Sequence, residues 1–244
     1  MLRCQHAMQW LDLTLPTIAE NLALDEALLL AAEHGQGDAV LRVWELPHYA
    51  VVVGSGGCVA ADVNREACLA NGVPIARRSS GGGTVLLGPG CLCFSLVLSY
   101  QFAPGLTEIP ASNRYILGRI LNALASVVAG SIQGTSDLAI ANKKFSGNAQ
   151  QRKRTHFLHH GTLLCHFDLA MVPRYLHLPQ QQPEYRHNRS HTDFLTNLSL
   201  RVADVKQRLV TEWQPQGEYQ PLPWRAIEDL MAEKYSRAEW NHKR

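Results

Sequence analysis

Three consecutive glycines, Gly81 to Gly83, constrain what this chain can fold into more than any other feature of its sequence. They follow two arginines, Arg77 and Arg78, and β-branched and apolar residues come directly after them. Residues without a Cβ can turn with positive φ and let the backbone approach a ligand closely. Successive amides in such a turn form a concavity for an anion, and arginines add fixed positive charge. The segment therefore predicts an anion-binding loop, with a plain glycine-rich hairpin beside two solvated arginines as the alternative.

The composition is that of an ordinary globular protein, with 46% hydrophobic and 18% charged residues among 244 and a net charge of +2. So small a charge gives no reason to expect nucleic acid or an anionic membrane as a partner. No apolar run reaches the ~20 residues that a membrane helix needs, and the first six residues lack the order of a signal peptide. The cysteines form neither a C-x-x-C pair nor a zinc spacing. They are Cys4, Cys58, Cys68, Cys91, Cys93 and Cys165. We expect a cytoplasmic protein with reduced cysteines.

The first long helix is predicted to begin after Thr17. Thr17 and Glu20 match a capping box, and apolar residues then recur at helical spacing as far as Gly35. We expect one apolar stripe of this helix to pack on a sheet, with the adjacent Asp25 and Glu26 on its solvated face. Further helices are predicted at 64–70, at 112–130 with Ser112 as the cap, directly after 168 and from about 223.

The β-rich runs of the sequence are short and are separated by glycine and proline turns. They lie at 39–44, 49–53, 73–76, 92–99, 137–140, 144–147 and 158–165. Strands interleaved with helices but joined by many hairpin-like turns favour an α+β fold with a mixed, largely antiparallel sheet flanked by helices. A polar segment at 180–191 is typical of a surface loop or lid.

Two further segments carry side chains suited to chemistry. Lys144 stands two residues before Ser-Gly inside an apolar strand. A lysine that points into a cleft is a point charge with three donors and can hold a phosphate or a developing oxyanion. The alternative is an edge-strand lysine that discourages aggregation. The second segment places two imidazoles, His159 and His160, at the start of an apolar run.

Together these segments match a known family. The sequences Arg-Arg-x-Ser-Gly-Gly-Gly at 77–83, Lys-Phe-Ser-Gly-Asn-Ala-Gln at 144–150 and His-His-Gly-Thr-Leu-Leu at 159–164 closely resemble, in order and spacing, the lipoate–protein ligases. These share a superfamily with biotin ligases and octanoyltransferases. The resemblance runs from about residue 10 to residue 200. The G-R-G-R-x-G loop of biotin ligases does not occur in this chain.

The resemblance implies a tunnel over the sheet for a medium-chain acyl group, lipoate or octanoate. It implies that ATP converts the acid to an acyl-adenylate, which then passes to a lysine of a lipoyl domain or a glycine-cleavage-H-like carrier. Lys144 would be the catalytic residue, gripping the acyl carbonyl and the phosphate. Asp137 would lie near the nucleotide, where it could hold Mg²⁺. The implied binding residues are Arg77, Arg78, Ser80, Gly81, Gly82, Gly83, Thr84, Asp137, Ser146, Gly147, Asn148, Ala149, His160, Gly161 and Thr162.

The sequence departs from the ligase pattern at three places. Leu87 stands where ligases have a histidine, and the Gly-Pro-Gly turn at 88–90 resembles octanoyltransferases instead. The third departure is the accessory C-terminal domain of many ligases: we expect residues 1–244 to be a single catalytic domain without a full domain of this kind, a part that a partner chain could supply.

Three alternatives stay open at this point. The chain could be an ATP-independent transferase that uses an acyl thioester and a cysteine, for which Cys91 and Cys165 are the nearest candidates, although both are expected to be packing residues. It could be a non-catalytic subunit that binds lipoate or a lipoyl domain. His156, His160 and His166 would share a strand face and could form a zinc cluster, but no acidic or thiol shell accompanies them, so we expect hydrogen bonding or acceptor positioning from them.

Overall fold

The computed structural model describes residues 7–37 and 39–243. Its strands are β1 Gln9–Asp12, β2 Val40–Trp44, β3 Ala50–Val53, β4 Ile75–Arg77, β5 Val85–Leu87, β6 Cys91–Ser99, β7 Ser131–Gln133, β8 Asp137–Ile140, β9 Lys143–Arg152 and β10 His156–Leu164. Its α-helices are α1 Ile18–Glu33, α2 Val59–Asp62, α3 Arg65–Ala70, α4 Ile109–Leu124, α5 Val172–Tyr175, α6 His191–Phe194, α7 Val202–Trp213, α8 Trp224–Leu230 and α9 Ala238–Asn241. Short 3-10 turns at Leu169–Met171 and Glu184–Arg186 and a π turn at Met231–Tyr235 complete the described elements.

The strands form a large sheet and a small one. The seven-stranded sheet has the order β1-β2-β6-β10-β9-β8-β7 and is antiparallel except between β1 and β2. The three-stranded sheet has the order β4-β3-β5, with β4 parallel and β5 antiparallel to β3. The two β-rich runs on either side of Pro47 therefore enter different sheets. The expected α+β fold, with a mixed and largely antiparallel sheet flanked by helices, is confirmed.

Strand β6 divides the core into two parts because successive side chains point to opposite faces of a sheet. Cys91, Cys93 and Val97 pack with α1 and the small sheet, whereas Leu92 and Phe94 pack on the other face with α4 and α7. Both faces are covered, which is why eight of the nine residues of β6 are buried. The helices α1 and α4 thus hold the large sheet between them.

Helix α1 begins as predicted but is far more buried than predicted. The Glu20 amide donates to Thr17 Oγ1 at 3.2 Å, the Thr17 amide donates to Glu20 Oε2 at 2.8 Å, and Gly35 follows the helix with φ +73°. The expectation that Asp25 and Glu26 face solvent is wrong, since their exposed fractions are 1% and 5%. The helix lies between the sheet and the segment that contains α8, so it has no solvated face at these positions.

Two helices differ from the sequence-based expectation. Helix α4 begins at Ile109, and Ser112 is not its cap, because the Ser112 hydroxyl donates to the Ile109 carbonyl from within the first turn at 3.0 Å. Helix α7 was not predicted, although Val205, Leu209 and Trp213 recur at helical spacing and pack against α4. Across residues 7–37 and 39–243, no helix combines the length and the apolar character needed to cross a membrane.

Candidate active site

The glycine loop, residues 79–84, joins β4 to β5 and is folded tightly on itself. Gly82 has φ +87°, a conformation that favours glycine. Its carbonyl oxygen lies so close to Gly54 that a Cβ at position 54 would be 2.1 Å away. By contrast, a Cβ added to Gly81 or Gly83 would meet no heavy atom within 4 Å. The loop is therefore closely packed at its middle residue and has open space beside both of its outer glycines.

Arg78 shapes this loop from within. Its Nη2 donates to the carbonyls of Gly81 and Gly83 at 2.5 and 2.8 Å, and its Nε donates to Ser80 Oγ at 3.0 Å. Burial lowers the pKa of Arg78 to about 10, so the side chain still carries its charge at neutral pH. These contacts place the arginine among loop carbonyls, where its charge and donors fix the curvature of the loop.

Arg77, for which the resemblance implies a binding role, contacts backbone carbonyls. Its Nη1 donates to the carbonyls of Gly54 and Gly57 at 2.8 Å each, and its Nε donates to the Trp240 carbonyl at 2.9 Å. The Trp240 indole in turn donates to the Arg77 carbonyl at 2.8 Å. This fully buried arginine joins the segment that follows β3, at Gly54 and Gly57, to the segment around α9. The alternative of two solvated arginines is wrong, since Arg77 and Arg78 are 0% and 7% exposed.

The glycine loop rests on β9 and β10. The Ser79 hydroxyl donates to Gln151 Oε1, and Ser80 Oγ lies 2.5 Å from His160 Nε2. A Cβ at Gly82 would be 3.7 Å from the Cβ of Ala149. Ala149 and His160 are paired across the two strands, so their side chains share one face of the sheet. The loop therefore covers the face on which α1 also lies.

Lys144 is held by Asp137 on the neighbouring strand. Its Nζ lies 2.7 Å from Asp137 Oδ1, and the Tyr185 hydroxyl donates to Asp137 Oδ2 at 2.8 Å. A Cβ at Gly147 would be 2.8 Å from Lys144 Nζ, so the glycine provides the space that the lysine side chain occupies. Because β9 lies between β10 and β8, the alternative of an edge-strand lysine is wrong.

An irregular register brings Lys144 to the face that carries the glycine loop. Asp137 pairs with Gly147 and Leu138 with Ser146, but Ala139 pairs with Lys144, which leaves Phe145 without a partner on β8. This extra residue puts Lys144 on the same side as Gly147, whereas regular alternation would put them on opposite sides. Ala149 follows Gly147 on that face. Lys144 and the glycine loop therefore approach one face of β9.

Below the loop lies a buried ion pair that the sequence reading missed. Arg42 Nη1 is 2.5 Å from Asp25 Oδ1, the Ser95 hydroxyl donates to Asp25 Oδ2 at 2.7 Å, and His160 Nδ1 is 3.5 Å from the same oxygen. Burial opposes the ionisation of Asp25, but Arg42, His160 and Ser95 outweigh it and hold the pKa of Asp25 below its usual value. The available signal was an arginine inside the apolar run Val-Leu-Arg-Val-Trp at 40–44.

The two neighbouring histidines have different environments. His160 faces the glycine loop, whereas His159 lies on the opposite face, fully buried and stacked on Phe94. Burial lowers the pKa of His159 to about 3, so its ring is neutral. Gln150 Nε2 is 3.2 Å from His159 Nδ1. Of the pair, only His160 is placed to contact a ligand beneath the loop.

Several other expected site residues have structural partners. The Asn148 amide donates to the Ser136 carbonyl at 2.7 Å and to Ser146 Oγ at 3.0 Å. A Cβ at Gly161 would be 1.9 Å from Asn148 Oδ1, so this glycine admits the asparagine. Thr84 Oγ1 donates to Asp62 Oδ2 at 2.7 Å. The remaining one, Thr162, is half-buried opposite Cys93 on β6. Asn148 and Ser146 alternate with Gly147, so they support the strand from the face away from Lys144.

The cysteine candidates are buried. Cys91 and Cys165 are both 0% exposed, and burial raises the pKa of the Cys165 thiol to about 12. A nucleophilic cysteine needs access and a lowered pKa. Cys165 has neither, and Cys91 lacks access. Both therefore act as packing residues in this structure. Cys4, like the rest of the first six residues, lies outside the described part of the chain.

The contacts of Asp137 do not fit the magnesium ligand that the resemblance implies. Both oxygens of Asp137 are engaged, one by the Lys144 ammonium and one by the Tyr185 hydroxyl. Within the described ranges 7–37 and 39–243, no three His, Cys, Asp or Glu side chains are grouped so as to hold a metal ion. His156 contacts Thr155 Oγ1 at 2.8 Å, away from His160. In this structure Asp137 is the partner of a lysine, and we do not assign it as a metal ligand.

Comparison with known proteins settles the family. The model of the lipoyl protein ligase A/B catalytic domain matches residues 17–214, which include the glycine loop, Lys144 and His160. The chain belongs to this family. A Mycoplasma pneumoniae protein named as a lipoate-protein ligase A is 30% identical over 189 residues, covering 78% of this chain and 52% of the relative. A protein of the same name from Aeropyrum pernix is 35% identical over 161 residues, covering 66% of this chain and 58% of the relative. This lipoyl ligase-family chain thus spans about half the length of these relatives.

Solved structures show the same fold. The bi-partite lipoate protein ligase of Thermoplasma acidophilum, studied with its E2 lipoyl domain, superposes with a TM-score of 0.82 at 23% identity, covering 98% of this chain and 96% of that one. A lipoate-protein ligase A bound with ATP superposes with a TM-score of 0.81 at 23% identity, covering 98% of each chain. At this level of identity the superpositions establish the fold of the family member described here.

Proposed function

We propose that this chain is the catalytic part of an ATP-dependent lipoate–protein ligase. It would join lipoate, or a similar medium-chain acid, to AMP and then transfer the acyl group to a lysine of a lipoyl domain. The observation that carries the proposal is the approach of two elements to one face of β9. These are the glycine loop, which covers Ala149, and the Lys144 ammonium, which lies over Gly147.

The proposed reaction needs a cation and backbone amides that contact the same reacting group. In the first half-reaction, a carboxylate oxygen attacks the α-phosphorus of ATP and pyrophosphate leaves. The negative charge on the phosphoryl oxygens is stabilised by pre-oriented donors. Lys144 has three N–H donors and its contact with Asp137 uses one of them, so two are available to phosphoryl and acyl oxygens. The open space beside Gly81 and Gly83 lets those oxygens approach the loop backbone.

The second half-reaction uses the same charge. The neutral amine of the acceptor lysine attacks the acyl carbonyl, AMP leaves with the electrons of the acyl–phosphate bond, and the surplus amine proton passes to solvent. Lys144 would then stabilise the carbonyl oxygen as its negative charge develops. The contact of 2.5 Å between Ser80, in the loop, and His160, beneath it, would hold the loop in place through both steps.

The relatives support the choice of nucleotide, acid and acceptor. Proteins named as lipoate-protein ligases match over most of this chain, and a protein of the same fold was solved with ATP. The Thermoplasma acidophilum ligase is bi-partite and was studied with an E2 lipoyl domain. We therefore propose a lipoyl domain as the acceptor, and an accessory chain as a component that the assay must include.

The test is a lipoylation assay with a matched pair of lysine variants. Protein, ATP, Mg²⁺, lipoate and a lipoyl domain are incubated, with and without an accessory chain, and the acceptor is weighed by mass spectrometry. Wild type and the variant Lys143→Ala, changed at the exposed neighbour, are expected to lipoylate the acceptor. Lys144→Ala should lower the rate by ~100-fold or more, as the loss of a charge-stabilising group does. No acceptor lipoylation by wild type under either condition would refute the proposal. An Lys144→Ala variant with the rate of wild type would refute the role of Lys144.

A further inference from the structure

The segment 183–196 is attached to the hairpin that carries Asp137 and Lys144. The Thr196 amide donates to the Lys144 carbonyl at 2.9 Å, and Arg189 Nη2 donates to the Asn142 carbonyl, in the hairpin turn, at 2.8 Å. The third contact is the hydrogen bond of 2.8 Å from the Tyr185 hydroxyl to Asp137 Oδ2. The polar segment at 180–191, expected to be a surface loop or lid, thus contacts the turn of this hairpin through Arg189 and one of its functional side chains through Tyr185.

The Tyr185 hydroxyl is a hydrogen-bond donor in this contact. Burial and the negative charge of Asp137 raise the pKa of Tyr185 above its usual value, so the phenol keeps its proton. The ring packs against Phe194, with centroids 5.1 Å apart, which limits its movement. One oxygen of the carboxylate is therefore held by a fixed donor, and the other is left for the ammonium at 2.7 Å.

This arrangement determines where the ammonium points. A carboxylate that is free to rotate can present either oxygen to a lysine, and the directions of the remaining N–H groups vary with it. Fixing Oδ2 fixes the plane of the carboxylate, so the position of Lys144 Nζ over Gly147 is fixed as well. Pre-orientation of a charged group contributes to the rate because a misplacement of about 1 Å can cost ~100-fold.

We propose that Tyr185 is a positioning residue for Lys144, acting through Asp137 to aim the ammonium at the reacting acyl-phosphate group. The role of Lys144 in catalysis rests on the proposed function. The contact from Tyr185 through Asp137 to Lys144 is independent of the proposed function, because it can be measured on the protein without turnover.

The first test measures the reactivity of the lysine. The folded protein is treated with a trace of acetic anhydride, and mass spectrometry gives the ratio of acetylation at Lys144 to that at the exposed neighbour Lys143. Tyr185→Phe should raise this ratio, since a looser carboxylate holds the ammonium less firmly, and Asp137→Asn should raise it further. Adding Tyr185→Phe to Asp137→Asn should change nothing more. A wild-type ratio in Tyr185→Phe, or an equal additional rise in the Asp137→Asn background, would overturn the proposal.

The second test measures catalysis with a matched tyrosine control. In the lipoylation assay, Tyr185→Phe should lower kcat by roughly tenfold, the scale of one hydrogen bond to a charged group, with an unchanged KM for ATP. Tyr100→Phe loses a comparable hydrogen bond of 2.8 Å, to the carbonyl of Lys153 just after the far end of β9, and should have the kcat of wild type. A wild-type kcat in Tyr185→Phe would overturn the positioning role. If wild type shows no ligase activity, the proposed function fails. The acetylation ratios then still test whether Tyr185 holds Lys144 through Asp137.

Discussion

Replacing Asp25 by asparagine should destabilise the protein strongly, because it leaves the Arg42 guanidinium buried without a counter-charge. Arg42 is 0% exposed, and its Nη1 lies 2.5 Å from Asp25 Oδ1. Removing one partner of a buried ion pair costs about 3–5 kcal/mol. Arg42 keeps the Asn21 carbonyl at 2.9 Å and Asn21 Oδ1 at 2.6 Å, so we expect the lower end of that range.

The loss can be measured as a shift in Tm. For a domain of this size, 1 kcal/mol corresponds to roughly 2–4 °C, so a loss of about 3 kcal/mol corresponds to a shift of roughly 6–12 °C. Arg42→Met combined with Asp25→Leu removes both charges and should restore much of the Tm, since a well-packed apolar pair can replace a buried ion pair. Asp204→Asn, which breaks an exposed pair with Arg201, is the matched control and should keep the Tm of wild type. A wild-type Tm for Asp25→Asn would show that Arg42 does not need Asp25 as its buried counter-charge.

The same pair predicts a dependence on pH. The pKa of Asp25 in the folded protein lies below its ordinary value of 3.8. Its contribution to stability is therefore fully present above that value and is lost as the pH falls through the lower pKa of the folded state. The Tm difference between wild type and Asp25→Asn should be constant from neutral pH down to about pH 5 and should shrink below pH 4. A difference that stays constant into strong acid would contradict the assignment of Asp25 as an ionised partner.

Substitutions at Gly147, Cys91 and Cys165 test the position of Lys144 and the packing role of the cysteines. Gly147→Ala places a methyl group 2.8 Å from Lys144 Nζ and should lower kcat by ~10–100-fold. Gly118→Ala, at a position with no heavy atom within 4 Å, is the control and should leave kcat unchanged. Equal effects in the two variants would contradict the position given to Lys144. Cys91→Ala and Cys165→Ala should each retain the kcat of wild type, because both thiols are fully buried; an acyl transfer activity that disappears with either cysteine would instead support a thioester mechanism.

The sequence predicted the local features of the fold and most of the strands. Thr17 and Glu20 form the expected capping box because its geometry depends only on neighbours in the chain. Lys144 and the glycine loop could be singled out because their residue types are unusual for their positions. That they approach the same face depends on the unpaired Phe145 in β9, and a register irregularity of this kind has no signal in a regular alternation.

Long-range partners account for what the sequence reading missed. The pattern of helix α1 alone predicts a solvated Asp25, because its partner, Arg42, lies on a different element. Arg77 is expected at the ligand, and in the structure its Nε also donates to the carbonyl of Trp240, a residue of α9 far away in the chain. In both cases a charged side chain is satisfied by groups distant in the chain, and only the packing of the elements reveals them. The hydrogen bond of Tyr185 has no sequence signal for the same reason, since Tyr185 lies in the 3-10 turn at Glu184–Arg186 and its acceptor, Asp137, lies on β8.

A crystal structure of the protein with a non-hydrolysable acyl-adenylate analogue tests most directly whether Lys144 and the glycine loop bind the same ligand. In this complex, Lys144 Nζ and the backbone of residues 81–83 should lie within hydrogen-bond distance, about 3 Å, of the same acyl-phosphate group. An analogue bound elsewhere, with Lys144 still in contact only with Asp137, would contradict this prediction.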